Sequence, residues 1–171
     1  MVTYLSALRC AVNVEHACEQ LQRKRFALRG DTASRALPPL IPLRYHQELP
    51  SFAVLDEIRR THMVTMTWTG STPAEIPPAR VTLGDSSTGP DTERQIVALQ
   101  QALSAGDHRQ VPPVAPQLVI SWSEALPSPS PIPLPETSAF WLSVFELNSE
   151  NDPWWEYLTW TQRYARRLRA P

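Results

Sequence analysis

Prolines stand at every second position from 127 to 135, and this spacing restricts the fold more than any other feature of the sequence. Proline fixes φ and lacks the backbone N–H, so a strand with this pattern could not enter the interior of a sheet. The spacing therefore predicts that residues 126–136 run as an extended polyproline II arm. Ile132 and Leu134 on this arm are expected to contact a partner or the sheet of the same chain, because an isolated arm would leave both in water.

A second proline-rich stretch, Leu37 to Leu43, reads Leu-Pro-Pro-Leu-Ile-Pro-Leu. Fixed φ angles and missing donors predict an extended connector that lies on a surface. This connector divides the chain into an N-terminal helical segment over residues 1–36, the connector over 37–50 and an α+β domain over 51–171.

The N-terminal segment supports two interpretations. Apolar residues recur at spacings of three and four from Thr3 to Leu28, which predicts one amphipathic helix ended by Gly30. Apolar residues also alternate with period two from Val2 to Val14, so a strand to about Ala11 followed by a helix capped by Asn13 is the alternative.

The rest of the chain predicts an α+β fold, in which three or four helices pack on a small mixed or antiparallel sheet with proline-rich extended connectors. Helices are predicted over 51–61, from Asp91 to just before Gly106, and over 153–169. Strands are predicted over 63–68, 80–83, 117–122 and 140–147 from their alternating or continuous apolar residues.

Composition excludes several function classes. Five scattered glycines cannot build a phosphate-binding loop, which makes nucleotide-dependent catalysis improbable. The longest apolar stretch, 139–145, is too short to cross a bilayer, and the first ten residues do not resemble a secretory signal. Two cysteines are too few for a disulfide framework. These features predict a protein of a reducing compartment, the cytoplasm, with no membrane partner and no evident small-molecule substrate.

A metal site is not predicted. Cys10, His16 and Cys18 are the one cluster of zinc-type ligands, but three ligands at these spacings on a predicted helix do not converge on a tetrahedron. No cofactor is expected. His46, His62 and His108 each have an acidic residue nearby in sequence, which is too common an arrangement to indicate a catalytic histidine.

The C-terminal segment carries the strongest signal for binding, because the aromatic residues from Trp154 to Tyr164 are accompanied by four arginines between positions 163 and 169. A seam at spacings of three and four predicts a helix that buries one stripe and presents the other side chains to a partner. The predicted interaction residues, together with Ile132 and Leu134, are Trp155, Trp160, Arg163, Tyr164, Arg166 and Arg167.

These features favour a non-enzymatic accessory or adaptor subunit that binds a larger protein assembly through the C-terminal helix and the proline-rich arms. Fifteen of the sixteen cations are arginine, and the two ends of the chain are basic. Since arginine interleaved with aromatic residues also suits single-stranded nucleic acid, the alternative is an accessory nucleic-acid-binding subunit of a ribonucleoprotein or DNA-processing complex. An enzyme is the third hypothesis, because no catalytic motif is visible.

Overall fold

The structure, a computed structural model, describes residues 2–29, 37–76, 79–87, 90–105, 118–123, 139–148 and 158–171. These ranges contain three helices and seven strands. In chain order they are β1 (Val2–Arg9), α1 (Val12–Arg29), β2 (Ile41–His46), α2 (Phe52–Thr61), β3 (Thr67–Ile76), β4 (Ala79–Ser87), α3 (Pro90–Ser104), β5 (Leu118–Ser123), β6 (Trp141–Asn148) and β7 (Thr159–Arg167).

The strands form two antiparallel sheets. One has the order β2-β1-β6-β7, so that β1 and β6 are central and the strands from the connector and the C-terminal segment are its edges. The other has the order β3-β4-β5. Both α1 and β2 contact β5, which links the two sheets.

The prediction of three or four helices on one small sheet is therefore wrong. The described part of the chain has two sheets, and it has a strand where the C-terminal helix was predicted. The cause is that the Leu37–Leu43 stretch, predicted as a connector, and the aromatic C-terminus, predicted as a helix, supply the two edge strands. An edge strand needs hydrogen-bond partners on one side only, which relaxes the demands on its sequence.

At the N-terminus the structure shows the alternative interpretation, a strand followed by a helix. Residues of β1 pair on both sides, as when Tyr4 lies between His46 of β2 and Glu146 of β6. The backbone N–H groups of Val14 and Glu15 both donate to the carbonyl of Ala11, and these bonds open the helix. Long-range pairing on two sides thus decides against one continuous helix.

The Leu37–Leu43 stretch is not a surface connector. Leu40, Ile41 and Leu43 are at most 1 % exposed, and the strand that begins at Ile41 pairs with β1. Pro42 is compatible with this strand because β2 is an edge, where a missing N–H leaves no partner unsatisfied. The register shifts between Ser6 and Ala7, which marks a bulge in the pairing.

Two predicted helices are confirmed. α2 buries Leu55 and Ile58, and α3 buries Ile96, Leu99 and Leu103 on one face. Pro90 is the first residue of α3, where its missing N–H costs no hydrogen bond, and Asp91 and Glu93 lie in its first turn. The core formed by these helices also contains Leu8, Leu142, Val144 and Tyr164 from the four-stranded sheet.

The predicted strands are found with shifted limits. The 140–147 segment is the central strand β6, and 117–122 corresponds to β5. The strand predicted over 63–68 begins at Thr67 and continues to Ile76, and it pairs with β4. The polyproline arm over 126–136 lies outside the described residues.

Candidate functional site

The register of the four-stranded sheet sorts its side chains onto two faces. Leu8 lies opposite Leu142, and Ser6 opposite Val144. Since Leu8, Leu142 and Val144 belong to the core with α2 and α3, this is the helix-covered face. Side chains at the intervening positions of β1 and β6 point to the other side, here called the second face.

The second face is apolar at its centre and polar at one end. Leu5, Ala7 and Phe145 are at most 1 % exposed, and they occupy neighbouring rows of the register. The polar end is a row in which Trp141 lies between Arg9 on β1 and Arg167 on β7. Strands in a sheet are about 4.8 Å apart, so the backbones of the two arginines lie roughly 10 Å apart on either side of the tryptophan.

Arg9 is held in a network of hydrogen bonds, the Arg9 network, which also includes Glu15, Ser143 and Gln162. Its Nε and Nη2 donate to the two carboxylate oxygens of Glu15 at 2.6 and 2.7 Å. Its Nη1 donates to Oε1 of Gln162 at 3.2 Å, and Nε2 of Gln162 donates to the Ser143 hydroxyl at 3.3 Å. This bidentate pairing fixes the plane of a guanidinium that still has 29 % of its side chain exposed.

Arg167 and Trp141 form the second element of this end of the sheet. The guanidinium carbon of Arg167 lies 6.0 Å from the centroid of the Trp141 ring, at the limit of a cation–π contact. Arg167 is exposed and Trp141 is half-buried. Two arginines beside an indole ring are suited to a ligand that combines a phosphate with a flat ring, because guanidinium binds phosphate oxygens and indole stacks on aromatic bases.

Chemistry on a phosphate ester also moves a proton from the attacking group to the leaving group. Glu15 is the titratable carboxylate of the Arg9 network, but both its oxygens accept from Arg9, which makes it an orienting group. None of the three histidines that the structure describes joins the network. His46 is buried with Nε2 2.8 Å from the Ser6 hydroxyl, His16 contacts Gln20, and His62 caps the end of α2.

The other side of β7 carries a separate polar cluster, which we call the Tyr164 cluster, formed with Asp56 and Arg59 of α2. Oδ1 of Asp56 accepts from the Tyr164 hydroxyl at 2.9 Å and from Nε of Arg59 at 2.8 Å. The bond from Arg59 is the largest cause that holds the pKa of Asp56 below its usual value. Burial, followed by the bond to Asp56, raises the pKa of Tyr164 to about 12.

The predicted interaction residues divide into three groups. Trp160 and the three arginines 163, 166 and 167 are exposed, as predicted, although they project from a strand and not from a helix. Tyr164 was predicted to be exposed, and this is wrong, because it is 7 % exposed and packs in the core beside α2. Trp155, Ile132 and Leu134 lie outside the described residues.

Cys10 and Cys18 are free, buried thiols. Burial is the main reason that the pKa of Cys10 is raised well above its usual value and that of Cys18 to about 12. His16 is exposed and paired with Gln20. Among the residues that the structure describes, no three His, Cys, Asp or Glu side chains are grouped so that they could hold a metal ion.

Sequence reasoning did not find the Arg9 network. Its members come from β1, α1, β6 and β7, and Arg9 and Gln162 are 153 positions apart. An isolated arginine, glutamine or serine carries no local signal, and only the strand order brings these residues together. Arg167 was selected for a different reason, its place in an aromatic and arginine-rich segment.

The fold has close counterparts among solved structures. Escherichia coli LigT complexed with 3'-AMP is 15 % identical, with 98 % of each chain covered and a TM-score of 0.58. LigT complexed with NADP+ is 14 % identical, with 96 % of each chain covered and a TM-score of 0.61. A solved phosphoesterase is 10 % identical, with 98 % of this chain and 99 % of that chain covered and a TM-score of 0.61.

No protein-family model matches the sequence, and no curated protein matches it. The similarity to LigT and to the phosphoesterase covers nearly the whole chain, so the two sheets and their helices form one recognised architecture. At 10 to 15 % identity this similarity concerns the fold.

The finding overturns the expectation of a non-enzymatic adaptor or complex subunit, because the solved chains with this fold include a phosphoesterase and LigT with nucleotides bound. The expectation that the protein is not an enzyme is wrong for the same reason. No described helix has the length and apolar character needed to span a membrane.

Proposed function

We propose that the protein is an enzyme that acts on a phosphate ester of a nucleotide and binds it at the polar end of the second face. The observation that carries this proposal is the similarity in fold, over nearly the full chain, to a phosphoesterase and to LigT with 3'-AMP or NADP+ bound. The Arg9 network supports it independently, because it supplies a fixed guanidinium on a face that the helices α2 and α3 do not cover.

The roles of the residues follow from their contacts. Arg9, oriented by Glu15 and Gln162, offers its guanidinium to a phosphate oxygen, and Arg167 approaches from the opposite side of Trp141. Trp141 supplies a ring on which a base can stack. Two guanidinium groups stabilise the negative charge that spreads over the phosphoryl oxygens in the transition state.

The reaction proposed is hydrolysis. A water oxygen forms a bond to phosphorus, the bond from phosphorus to the ester oxygen breaks, and the leaving alcohol takes a proton while the water loses one. Arg9 and Arg167 keep their protons throughout, because a guanidinium stays protonated in proteins. They act as electrostatic groups in this proposal, and the proton passes from the attacking water to the leaving oxygen through solvent.

Phosphorus-31 NMR tests the proposal with a panel of nucleotide substrates of different ester classes. The panel contains a phosphomonoester such as 3'-AMP, a linear and a cyclic phosphodiester, and a pyrophosphate such as NADP+. Conversion of at least one substrate is expected. Arg167→Ala should lower kcat/KM by about ten- to a hundredfold, the effect of losing one charge-assisted hydrogen bond worth roughly 1.5–3 kcal/mol.

Arg94→Ala is the matched control. Arg94 is also an exposed arginine, with 81 % of its side chain accessible, but it lies on α3 and pairs weakly with Asp91 at 3.8 Å. This variant should retain the wild-type kcat/KM. A panel without any turnover, or equal losses in the two variants, would contradict the proposal.

A further inference from the structure

A pocket lies at the outer edge of β7, on the side of the strand that faces α2. Its volume is about 380 Å³. Phe52 and Asp56 of α2 form one wall, and β7 forms the other through Gln162, Arg163, Tyr164, Ala165 and Arg166. Arg9, Trp141 and Arg167 are not among its lining residues, although Gln162 of the Arg9 network is.

The wall of the pocket is fixed by contacts that need no ligand. The Tyr164 hydroxyl and Nε of Arg59 both donate to Asp56, so the negative charge of that carboxylate is already matched. The Tyr164 ring lies 5.7 Å from the Phe52 ring, centroid to centroid, with an angle of 36° between their planes. The guanidinium carbon of Arg166 lies 5.9 Å from the centroid of the Tyr164 ring.

Two cations of the pocket keep donors for an anion. Arg166 donates through Nη1 to the Ala165 carbonyl at 2.9 Å, and its side chain is exposed. Arg163 has 46 % of its side chain accessible, and its Nε is 3.6 Å from Glu146, longer than a hydrogen bond. Each guanidinium has five N–H donors, so these contacts leave several on each for phosphate oxygens.

Phe52 adds an apolar platform, because nearly half of it, 48 %, is exposed at the start of α2. A solvent-exposed ring beside two arginines favours a ligand with a flat ring and a phosphate, since aromatic side chains stack on bases and guanidinium groups bind phosphate. The pocket volume falls within the range of small-molecule sites, roughly 300–1,000 Å³.

We propose that this pocket at the β7 edge binds a nucleoside monophosphate, with the phosphate between Arg163 and Arg166 and the base on Phe52. The groups that would hold the nucleotide here, Arg163, Arg166 and Phe52, do not belong to the Arg9 network, so this proposal does not rest on the reaction proposed for the second face. Binding at either place can therefore succeed or fail without the other.

Isothermal titration with adenosine 5'-monophosphate tests the proposal in the full chain. The starting protein carries Arg167→Ala, which weakens the second face and leaves the pocket intact. Adding Arg163→Ala together with Arg166→Ala should weaken the remaining binding at least about tenfold, the loss that follows from one charge-assisted hydrogen bond. Arg23→Ala with Arg94→Ala, two exposed arginines elsewhere on the chain, is the matched control and should leave the affinity unchanged.

The ring contact is tested separately with Phe52→Ala. This variant should weaken binding of the nucleotide but not of inorganic phosphate, because stacking contributes only to the former. Absence of binding in the Arg167→Ala protein would overturn the proposal. Equal affinity in the variant without Arg163 and Arg166 would also overturn it, as would a Phe52→Ala variant that binds the nucleotide as well as the starting protein does.

Discussion

Individual residues on β7 behave according to the face on which they lie. Tyr164 is buried against α2 with its hydroxyl bonded to Asp56. Trp160, four positions earlier, is 41 % exposed, and its ring centroid lies 5.6 Å from that of Phe145 in a T-shaped arrangement. Both belong to the aromatic and arginine-rich C-terminal segment, so the composition of the sequence does not distinguish them. Their different surroundings come from contacts with residues more than ten positions away.

Alkaline pH should destabilise the protein in part through Tyr164. The folded state raises the pKa of this hydroxyl from about 10 to about 12, so the neutral form is favoured on folding. Its contribution to stability is complete below about pH 10 and is lost as the pH rises towards 12. Tyr164→Phe should therefore lose less stability than the wild type between pH 9 and 11.5, as measured by urea unfolding.

Tyr45 provides the internal control for this measurement. Burial raises the pKa of Tyr45 as well, but the group is present in both proteins and its effect cancels in the comparison. Parallel loss of stability in the two proteins would show that the Tyr164 hydroxyl titrates as it does in the unfolded chain.

At the level of elements, β7 shows why the sequence was misleading. A seam at spacings of three and four runs through Trp154, Leu158, Thr161, Ala165 and Leu168, and it predicted a helix. The structure has a strand over Thr159–Arg167 instead, and the pairing shifts at Arg163, where Gln162 faces Phe145 and Tyr164 faces Val144. The extra residue in this bulge reverses which face the following side chains point to. Buried residues before and after the bulge therefore do not share one alternating pattern in the sequence.

Single substitutions on β7 can distinguish a bulged strand from a helix. Tyr164→Ala should lower the free energy of unfolding by about 3 kcal/mol, because it removes an aromatic side chain from the core. Arg163→Ala, at the bulge and exposed, should change it by no more than about 0.5 kcal/mol. Thermal or urea unfolding of the two variants provides the comparison, and a loss at Arg163 as large as that at Tyr164 would be inconsistent with the strand.

Elements with strong local signals were predictable, whereas the two edge strands of the four-stranded sheet, β2 and β7, were not. The helix α3 has Pro90 at its start, acidic residues in its first turn and an apolar face, and each of these signals acts within a few residues. Pro42 of β2 predicts a connector, and only pairing with β1, more than thirty positions earlier, makes this segment an edge strand. The Arg9 network could not be predicted for the same reason, because long-range strand pairing brings its residues together.

For the whole molecule, the strand order accounts for both proposed sites. The order β2-β1-β6-β7 brings residues from the two ends of the chain side by side, which places Arg9 next to Trp141 and Arg167. The helices α2 and α3 pack on one face of the sheet. One side of β7 therefore contacts α2, whereas the other carries Gln162 and Arg167 beside Arg9 and Trp141. The basic character of both chain ends, noted in the sequence, is consistent with their meeting at one sheet, although the sequence did not identify the residues that meet.

The central claim is that a nucleotide phosphate binds at the polar end of the second face. NMR chemical shifts of the backbone amides, followed during a titration with 3'-AMP, test it most directly, because each assigned amide reports whether the ligand binds near that residue. The account predicts shifts at Arg9, Trp141 and Ser143 that saturate with a common dissociation constant, while Arg94 on α3 stays unchanged. No shift at those three amides at saturating nucleotide, with binding located only on other elements or absent altogether, would contradict it.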